Sequence, residues 1–163
     1  MVIFINGSIN AGKSTVAKIL AGKIPKSALI EIDVFHEMIE WMPIDEAVPL
    51  NLENALSVIK NFVSNNIHCI VPYPLSRENY DFMNKGLKDC HVDIRVFTLA
   101  PDMETVMSGQ GRRKPTDWEK DRIKHHYDIG IPTPDFGEVI NNAGQTPEET
   151  VGIIMKKLDL TLN

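Results

Sequence analysis

One stretch near the start constrains this chain more than any other. Gly7-Ser8-Ile9-Asn10-Ala11-Gly12-Lys13-Ser14, with Thr15 after it, lies directly between an apolar run, Val2-Ile3-Phe4-Ile5, and a segment with helical spacing over 13–23. It fits GxxxxGK[ST] without substitution, a match that background composition produces in about one chain of this size in a few hundred. The strand-then-helix setting is the one the pattern needs to work. Successive backbone amides turn inward around phosphate oxygens, and a Cβ at either glycine would obstruct the loop or its ligand. The helix starting near Lys13 adds its positive end. Lys13 offers a mobile ammonium to the β- and γ-phosphates, and the Ser14 hydroxyl suits Mg²⁺, a hard cation that prefers oxygen. The alternative is a glycine-rich turn with an exposed lysine; nucleoside triphosphate binding is the reading adopted.

The rest of the pattern supplies a scaffold for such a loop. Short, β-branched runs at 2–5, 28–32, 67–71 and 92–99 read as buried strands, and Val139-Ile140 as a short fifth. Helical spacing fills 13–23, 34–42, 50–65 and 76–89, with Leu52, Leu56, Ile59 and Val63 on one face of the third. Two capping signatures open later helices: Thr116-Asp117-Trp118-Glu119 before a helix over 117–128, and Thr146-Pro147-Glu148-Glu149 before one over 147–158. Alternating strands and helices with right-handed crossovers give an α/β architecture, a parallel sheet covered on both faces.

Length and charge narrow the partners. The 163 residues suit a single domain over 1–163. The net charge of −5 opposes long-range attraction to a polyanion, so no nucleic-acid partner is expected. Cys69 and Cys90 stand apart from any CxxC pair, which argues against a disulfide framework or a thiolate zinc site. The opening apolar run is too brief for a signal peptide or a membrane span, and a cytoplasmic protein is expected.

Other motifs fall away. Asn84-Lys85-Gly86-Leu87 lacks the final Asp of a guanine-reading NKxD and reads as a helix face, and Asp135-Phe136-Gly137 occurs without an HRD loop and reads as a turn. His125 and His126 are helical neighbours pointing about 100° apart, so they do not share a metal ion. The third strand leads into Val71-Pro72-Tyr73-Pro74 with no acidic residue. An acidic residue does close the second strand, in Leu29-Ile30-Glu31-Ile32-Asp33, where strand ends open onto a ligand crevice. Asp33 is placed to serve both Mg²⁺, through water, and an acceptor hydroxyl; an N-cap role for the following helix is the alternative, and the two can coexist.

Taken together, the loop Gly7 to Thr15, the segment Ile32 to Ile39, the Arg112-Arg113 pair before a helix and the segment Asn141 to Glu149 resemble the small P-loop phosphotransferases: shikimate kinase, gluconate kinase and, above all, chloramphenicol phosphotransferase. The resemblance spans almost the whole chain. It implies a P-loop NTPase fold in three α/β/α layers, with a five-stranded parallel sheet, a lid closing over ATP, and an adenine pocket lined by the region before the last helix, here Gln145 and Thr146. It also implies that Asp33 acts as base toward the acceptor hydroxyl. Pro72-Tyr73-Pro74 departs from the pattern where the acceptor is usually touched.

The lid is expected over 108–117, where Ser108-Gly109-Gln110-Gly111-Arg112-Arg113-Lys114-Pro115 places three cations on a glycine-containing hinge. Arg112 and Arg113 are favoured over Lys114 because guanidinium groups grip phosphate oxygens in pairs. Arg122 is divided between a ligand contact and a surface pair with Glu119. The acceptor is expected near Asp33, His36, Glu37, Trp41, Tyr73, Arg77 and Tyr80, with the aromatic residues forming a wall. These residues point to an ATP- and Mg²⁺-dependent phosphotransferase acting on a hydroxyl of a small molecule, with Lys13, Asp33, Arg112 and Arg113 catalytic. Two rivals keep the loop: a nucleotide-binding module that transfers no phosphate, and a polynucleotide 5′-hydroxyl kinase, which the acidic charge disfavours.

Overall fold

The computed structural model describes residues 1–109 and 114–159. Strand β1 (Val2–Gly7) is buried along its whole length and takes the middle of a parallel sheet. Its neighbours come from far along the chain: β3 (His68–Pro72) on one side, with Val2 opposite Cys69, and β4 (Ile94–Leu99) on the other, with Gly7 opposite Leu99. Strands β2 (Ser27–Leu29) and β5 (Glu138–Ile140) form the edges, giving the order β2-β3-β1-β4-β5 among the described residues.

Parallel neighbours require crossovers, and helices supply them. Helices α1 (Lys13–Lys23), α2 (Asp33–Glu37), α3 (Ile44–Ser64) and α4 (Arg77–Leu87) come before β4, and α5 (Met103–Ser108), α6 (Asp117–Asp128) and α7 (Pro147–Lys157) follow it. Side chains of β1 alternate between two cores, as a strand's period of two demands. Ile3 and Ile5 pack with Val16, Leu20, Ile123, Val151 and Ile154 of α1, α6 and α7. Val2 and Phe4 pack with Leu52, Ala55, Ile59, Met83 and Leu87 of α3 and α4. Both faces of the sheet are thereby covered, so the expected three-layer α/β/α arrangement with five parallel strands is the one observed. No helix among the described residues is long and apolar enough to cross a membrane.

Both expected capping boxes form. Thr116 accepts from the Glu119 amide while Glu119 accepts from the Thr116 amide, and Thr146 and Glu149 do the same at α7. Other boundaries move for physical reasons. Strand β2 stops at Leu29, although the Ile30 amide still bonds the Ile70 carbonyl at 2.9 Å. The helix expected over 34–42 is only Asp33–Glu37 followed by turns; Pro43, which disfavours helical geometry at Met42, serves as the N-cap of α3. Helix α3 begins at Ile44 rather than 50 and carries Pro49 in its interior. A proline there forfeits one helical bond at a cost of about 3 kcal/mol, which burial of Ala47, Leu52, Ala55 and Ile59 offsets. Helix α5, not anticipated, is started by Asp102, whose carboxylate accepts from the Thr105 amide at 2.7 Å.

The topology fixes where a ligand can sit. From β1 the chain crosses through α1 to one side of the sheet, and from β3 it crosses through α4 to the other. The divergence leaves a crevice at the carboxyl ends of β1 and β3.

Candidate active site

The loop after β1 is shaped by close packing at its start and by left-handed backbone along it. A Cβ on Gly7 would sit 2.6 Å from the Leu99 carbonyl oxygen and 3.1 Å from the Ala11 Cβ, so strand β4 itself demands glycine there. Gly12 has φ +95°, which l-residues with side chains rarely adopt. The obstruction expected at the two glycines therefore differs in kind: close contact adds to a positive φ of +141° at Gly7, whereas at Gly12 the backbone conformation alone requires glycine. Gly12 is the N-cap of α1 and offers no capping side chain, whereas α4, α5, α6 and α7 are all capped by a side-chain oxygen. The amides of Ser8, Ile9, Gly12, Lys13 and Ser14 bond no protein acceptor among the described residues. These donors and the helix dipole leave a concave surface complementary to an anion.

Asn6, fully buried at the end of β1, anchors this loop. Its Oδ1 accepts from the Gly7 amide at 2.7 Å and the Leu75 amide at 2.8 Å, while its Nδ2 donates to Thr98 Oγ1 at 3.0 Å and the Ile131 carbonyl at 3.3 Å. All four bonding positions of the amide are used, tying β1 to the exits of β3, β4 and α6. Asn6→Ala strands two amides and a carbonyl in the interior and is expected to cost about 3 kcal/mol, read as a lower urea midpoint with the slope unchanged. A second brace comes from the loop before α7, where Asn142 Nδ2 donates to the Ala11 carbonyl at 3.0 Å.

Above the loop opens a cleft of 510 Å³. The loop contributes Ile9, Asn10, Lys13 and Ser14; the exit of β2 and helix α2 contribute Ile32, Asp33, His36 and Glu37. Ile44, Val48 and Asn51 of α3 and Pro72, Tyr73 and Pro74 after β3 close the far side. Helix α6 presents Trp118, Glu119, Arg122 and His126, neighbours on one face at helical spacing.

Charge is unevenly served in this space. Lys13 Nζ donates to the Ser8 carbonyl at 2.7 Å, and burial lowers its pKa to about 8 against the opposing pull of Asp33. Asp33 itself opens α2 and forms no hydrogen bond or ion pair among the described residues; the N-cap position belongs to Ile32. Tyr73 is pushed up to about 12 by burial and the Asp33 charge, with Arg122 opposing. Arg122 forms no ion pair with Glu119 among the described residues; Glu119 closes the α6 capping box instead.

His126, 3% exposed, meets the Ser8 hydroxyl through Nδ1 at 3.2 Å. Burial, with Lys13, Arg122 and His125 nearby, lowers its pKa to about 4. The imidazole is neutral when folded and titrates near 6.5 when unfolded, so the unfolded state takes up the proton first as pH falls. Stability from this group is complete above pH 6.5 and is lost between 6.5 and 4, by about 3 kcal/mol. The thermal midpoint is expected to fall across that window, and His126→Gln is expected to flatten the fall.

Sequence-expected residues are thus partly assembled and partly dispersed. Lys13, Ser14, Asp33, His36, Glu37 and Tyr73 share the cleft. Trp41 does not line it and is 79% exposed. Arg77 also lies outside it, paired with Asp81 at 3.1 Å and with Asp135, its guanidinium over the Phe136 ring; Tyr80 stacks on Phe136 at 4.1 Å. The aromatic wall expected from Trp41 and two tyrosines is reduced to Tyr73 and Trp118, because the helix meant to carry Trp41 inward ends at Glu37. Gln145 donates to the Asn141 carbonyl, and Thr146 caps α7; both are engaged within their own loop. Arg112 and Arg113 lie outside the described residues. Among the described residues no cluster of three or more His, Cys, Asp and Glu side chains suits a metal ion.

Sequence reading did not single out Asn6, Asn51 or Trp118. Asn51 had a visible signal, a polar residue in the Ala47-Asn51-Ala55 stripe of α3 that is otherwise apolar. Asn6 had none, since its partners are brought together only by the sheet.

No family model and no curated protein matches the sequence. Solved structures do resemble the fold over nearly the whole chain. The tunicamycin resistance protein of Deinococcus radiodurans is 22% identical, with 99% of this chain and 96% of that one covered at a TM-score of 0.71. An unliganded sugar kinase from a Janibacter species is 18% identical, covering 98% and 95% at 0.76. APS kinase of Mycobacterium tuberculosis, in complex with AMPPNP and APS, is 16% identical, covering 97% and 96% at 0.70. With its central β1, the loop that follows it and these likenesses, the chain has the fold of the P-loop kinases.

Proposed function

We propose that this protein is an ATP- and Mg²⁺-dependent phosphotransferase that moves the γ-phosphoryl group to a hydroxyl of a small molecule. One observation carries the reading: Lys13, loop amides unbonded among the described residues, and Asp33, unpaired among them, converge on one cleft of 510 Å³. Lys13 leaves the Ser8 carbonyl for the phosphates, whose charge restores its full ammonium character. Asp33 accepts the hydroxyl proton as the acceptor oxygen bonds to the γ-phosphorus, while the bond from that phosphorus to the β,γ-bridging oxygen breaks and ADP departs. The donor set fits Mg²⁺, since Ser14 and Asp33 bring only oxygen ligands to the same space. When bound, the cation neutralises charge between the β- and γ-phosphates.

The second cationic source in this reading is the 108–117 lid with Arg112 and Arg113. Support comes from its two flanks. Helix α5 ends at Ser108, and α6, which starts at Asp117, lays its Trp118, Arg122 and His126 face along the cleft. Such a lid excludes water, the competing acceptor.

The test is transfer of label from [γ-³²P]ATP in the presence of Mg²⁺ to a library of hydroxyl compounds. Labelled product with a small acceptor is the expected result. Tight ATP retention without any labelled product would favour the non-transferring nucleotide-binding module, and transfer only to oligonucleotides the polynucleotide kinase.

A further inference from the structure

The wall that α2 and α3 give to the cleft has a distinct chemistry. It carries Asp33, His36, Glu37 and Asn51 with Ile44 and Val48 among them, and no lysine or arginine among the described residues. Lys13 and Arg122, the lysine and arginine lining the cleft among the described residues, stand on the loop and on α6.

Asn51 is the unusual member. It is 4% exposed, yet its amide forms no hydrogen bond among the described residues, and Oδ1 is both buried and unpartnered there. A buried amide without partners weakens the fold, and an apolar residue of similar shape would suit the Ala47-Asn51-Ala55 stripe better. Half a turn about χ2 exchanges its carbonyl oxygen and amino group, so the side chain can offer the cleft either an acceptor or a donor. A hydroxyl, being both donor and acceptor, pairs with it in either orientation. His36 Nδ1 is a second buried polar atom on this wall without a partner among the described residues.

We propose that the acceptor is an uncharged or cationic compound with several hydroxyl or amine groups, and that Asn51 binds one of those that is not phosphorylated. The inference deepens the phosphotransferase reading and rests on it. An anionic acceptor would set its carboxylate, phosphate or sulfate against Asp33 and Glu37 with no cation on that wall to meet it. A polyol or amino alcohol meets the carboxylates with O–H or N–H donors and satisfies the amide.

Sorbitol, glucamine and gluconate share a six-carbon skeleton and differ in the charge of one end, which makes them matched probes. Their binding to the full chain with AMPPNP and Mg²⁺ is measured by saturation-transfer NMR, with AMPPNP binding followed by calorimetry in the same samples. Sorbitol and glucamine are expected to bind, gluconate at least ~10-fold more weakly, a factor equal to about 1.4 kcal/mol. Asn51→Leu is expected to weaken sorbitol and glucamine by a similar factor, leave AMPPNP affinity within twofold, and hold or raise the melting temperature. Gluconate binding as tightly as sorbitol, no binding of sorbitol and glucamine, or their unchanged binding to Asn51→Leu would overturn the inference. The comparison of probes on the unmodified chain decides it even if the variant does not fold. Failure of AMPPNP to bind would instead remove the phosphotransferase reading beneath it.

Discussion

Lys13→Met is expected to lower phosphoryl transfer by at least ~1000-fold in kcat/KM, the scale of removing a preorganised electrostatic contact from the transition state. Methionine keeps most of the side chain's length, so the deficit reports charge rather than a hole in the loop. The lysine is held in reserve in this structure: half-buried, bonded to the Ser8 carbonyl and lowered to about pKa 8. That value sets a pH dependence. The free enzyme needs the ammonium to meet ATP, so kcat/KM for ATP is expected to fall as pH rises through about 8, while kcat, measured with phosphates already beside Lys13, holds to higher pH. A Lys13→Met enzyme with undiminished transfer of label would remove the lysine from the chemistry.

Asp33→Asn is expected to lower kcat at least ~100-fold, the low end for loss of a general base, with ATP affinity nearly intact. The carboxylate is suited to this use because it is neither capping α2 nor paired, so the proton of an acceptor hydroxyl has no rival for it among the described residues. One complication is built into the site. Asp33 also helps keep Lys13 protonated, so removing its charge lowers the lysine further. The comparison therefore belongs near pH 6.5, where the lysine is protonated in both proteins. Turnover unchanged at that pH would leave Asp33 without its assigned role.

Much of this arrangement was legible from local pattern. The loop Gly7 to Ser14 reads from sequence because its work is done by backbone geometry, which glycine spacing encodes directly. The helices starting at Asp117 and Pro147 read because a capping box is a contact between residues three apart. What did not read depends on distance along the chain. Arg77 reads either as a contact to the acceptor or as a partner of an acidic neighbour, and which neighbour is not local: Asp135, 58 residues on, claims it. Trp41 faces the acceptor side only if the helix before it runs on to 42, and that helix ends at Glu37. Asn6 looks like an ordinary polar residue after an apolar strand until Leu75, Thr98 and Ile131 are folded around it.

The central position of β1 has a consequence for how the protein is made. The residues of the phosphate loop leave the ribosome well before those of β3 and β4, yet among the described residues β1 pairs only with these two strands and completes its pairing when Leu99 arrives. Gly7 is seated against Leu99, so a nascent chain ending before that residue lacks the surface that shapes the loop. On the phosphotransferase reading, nucleotide capture is thus acquired only after β4 is made, although the loop itself is translated some ninety residues earlier. Parallel pairing at such separations in sequence also places the protein among the slower folders of its size.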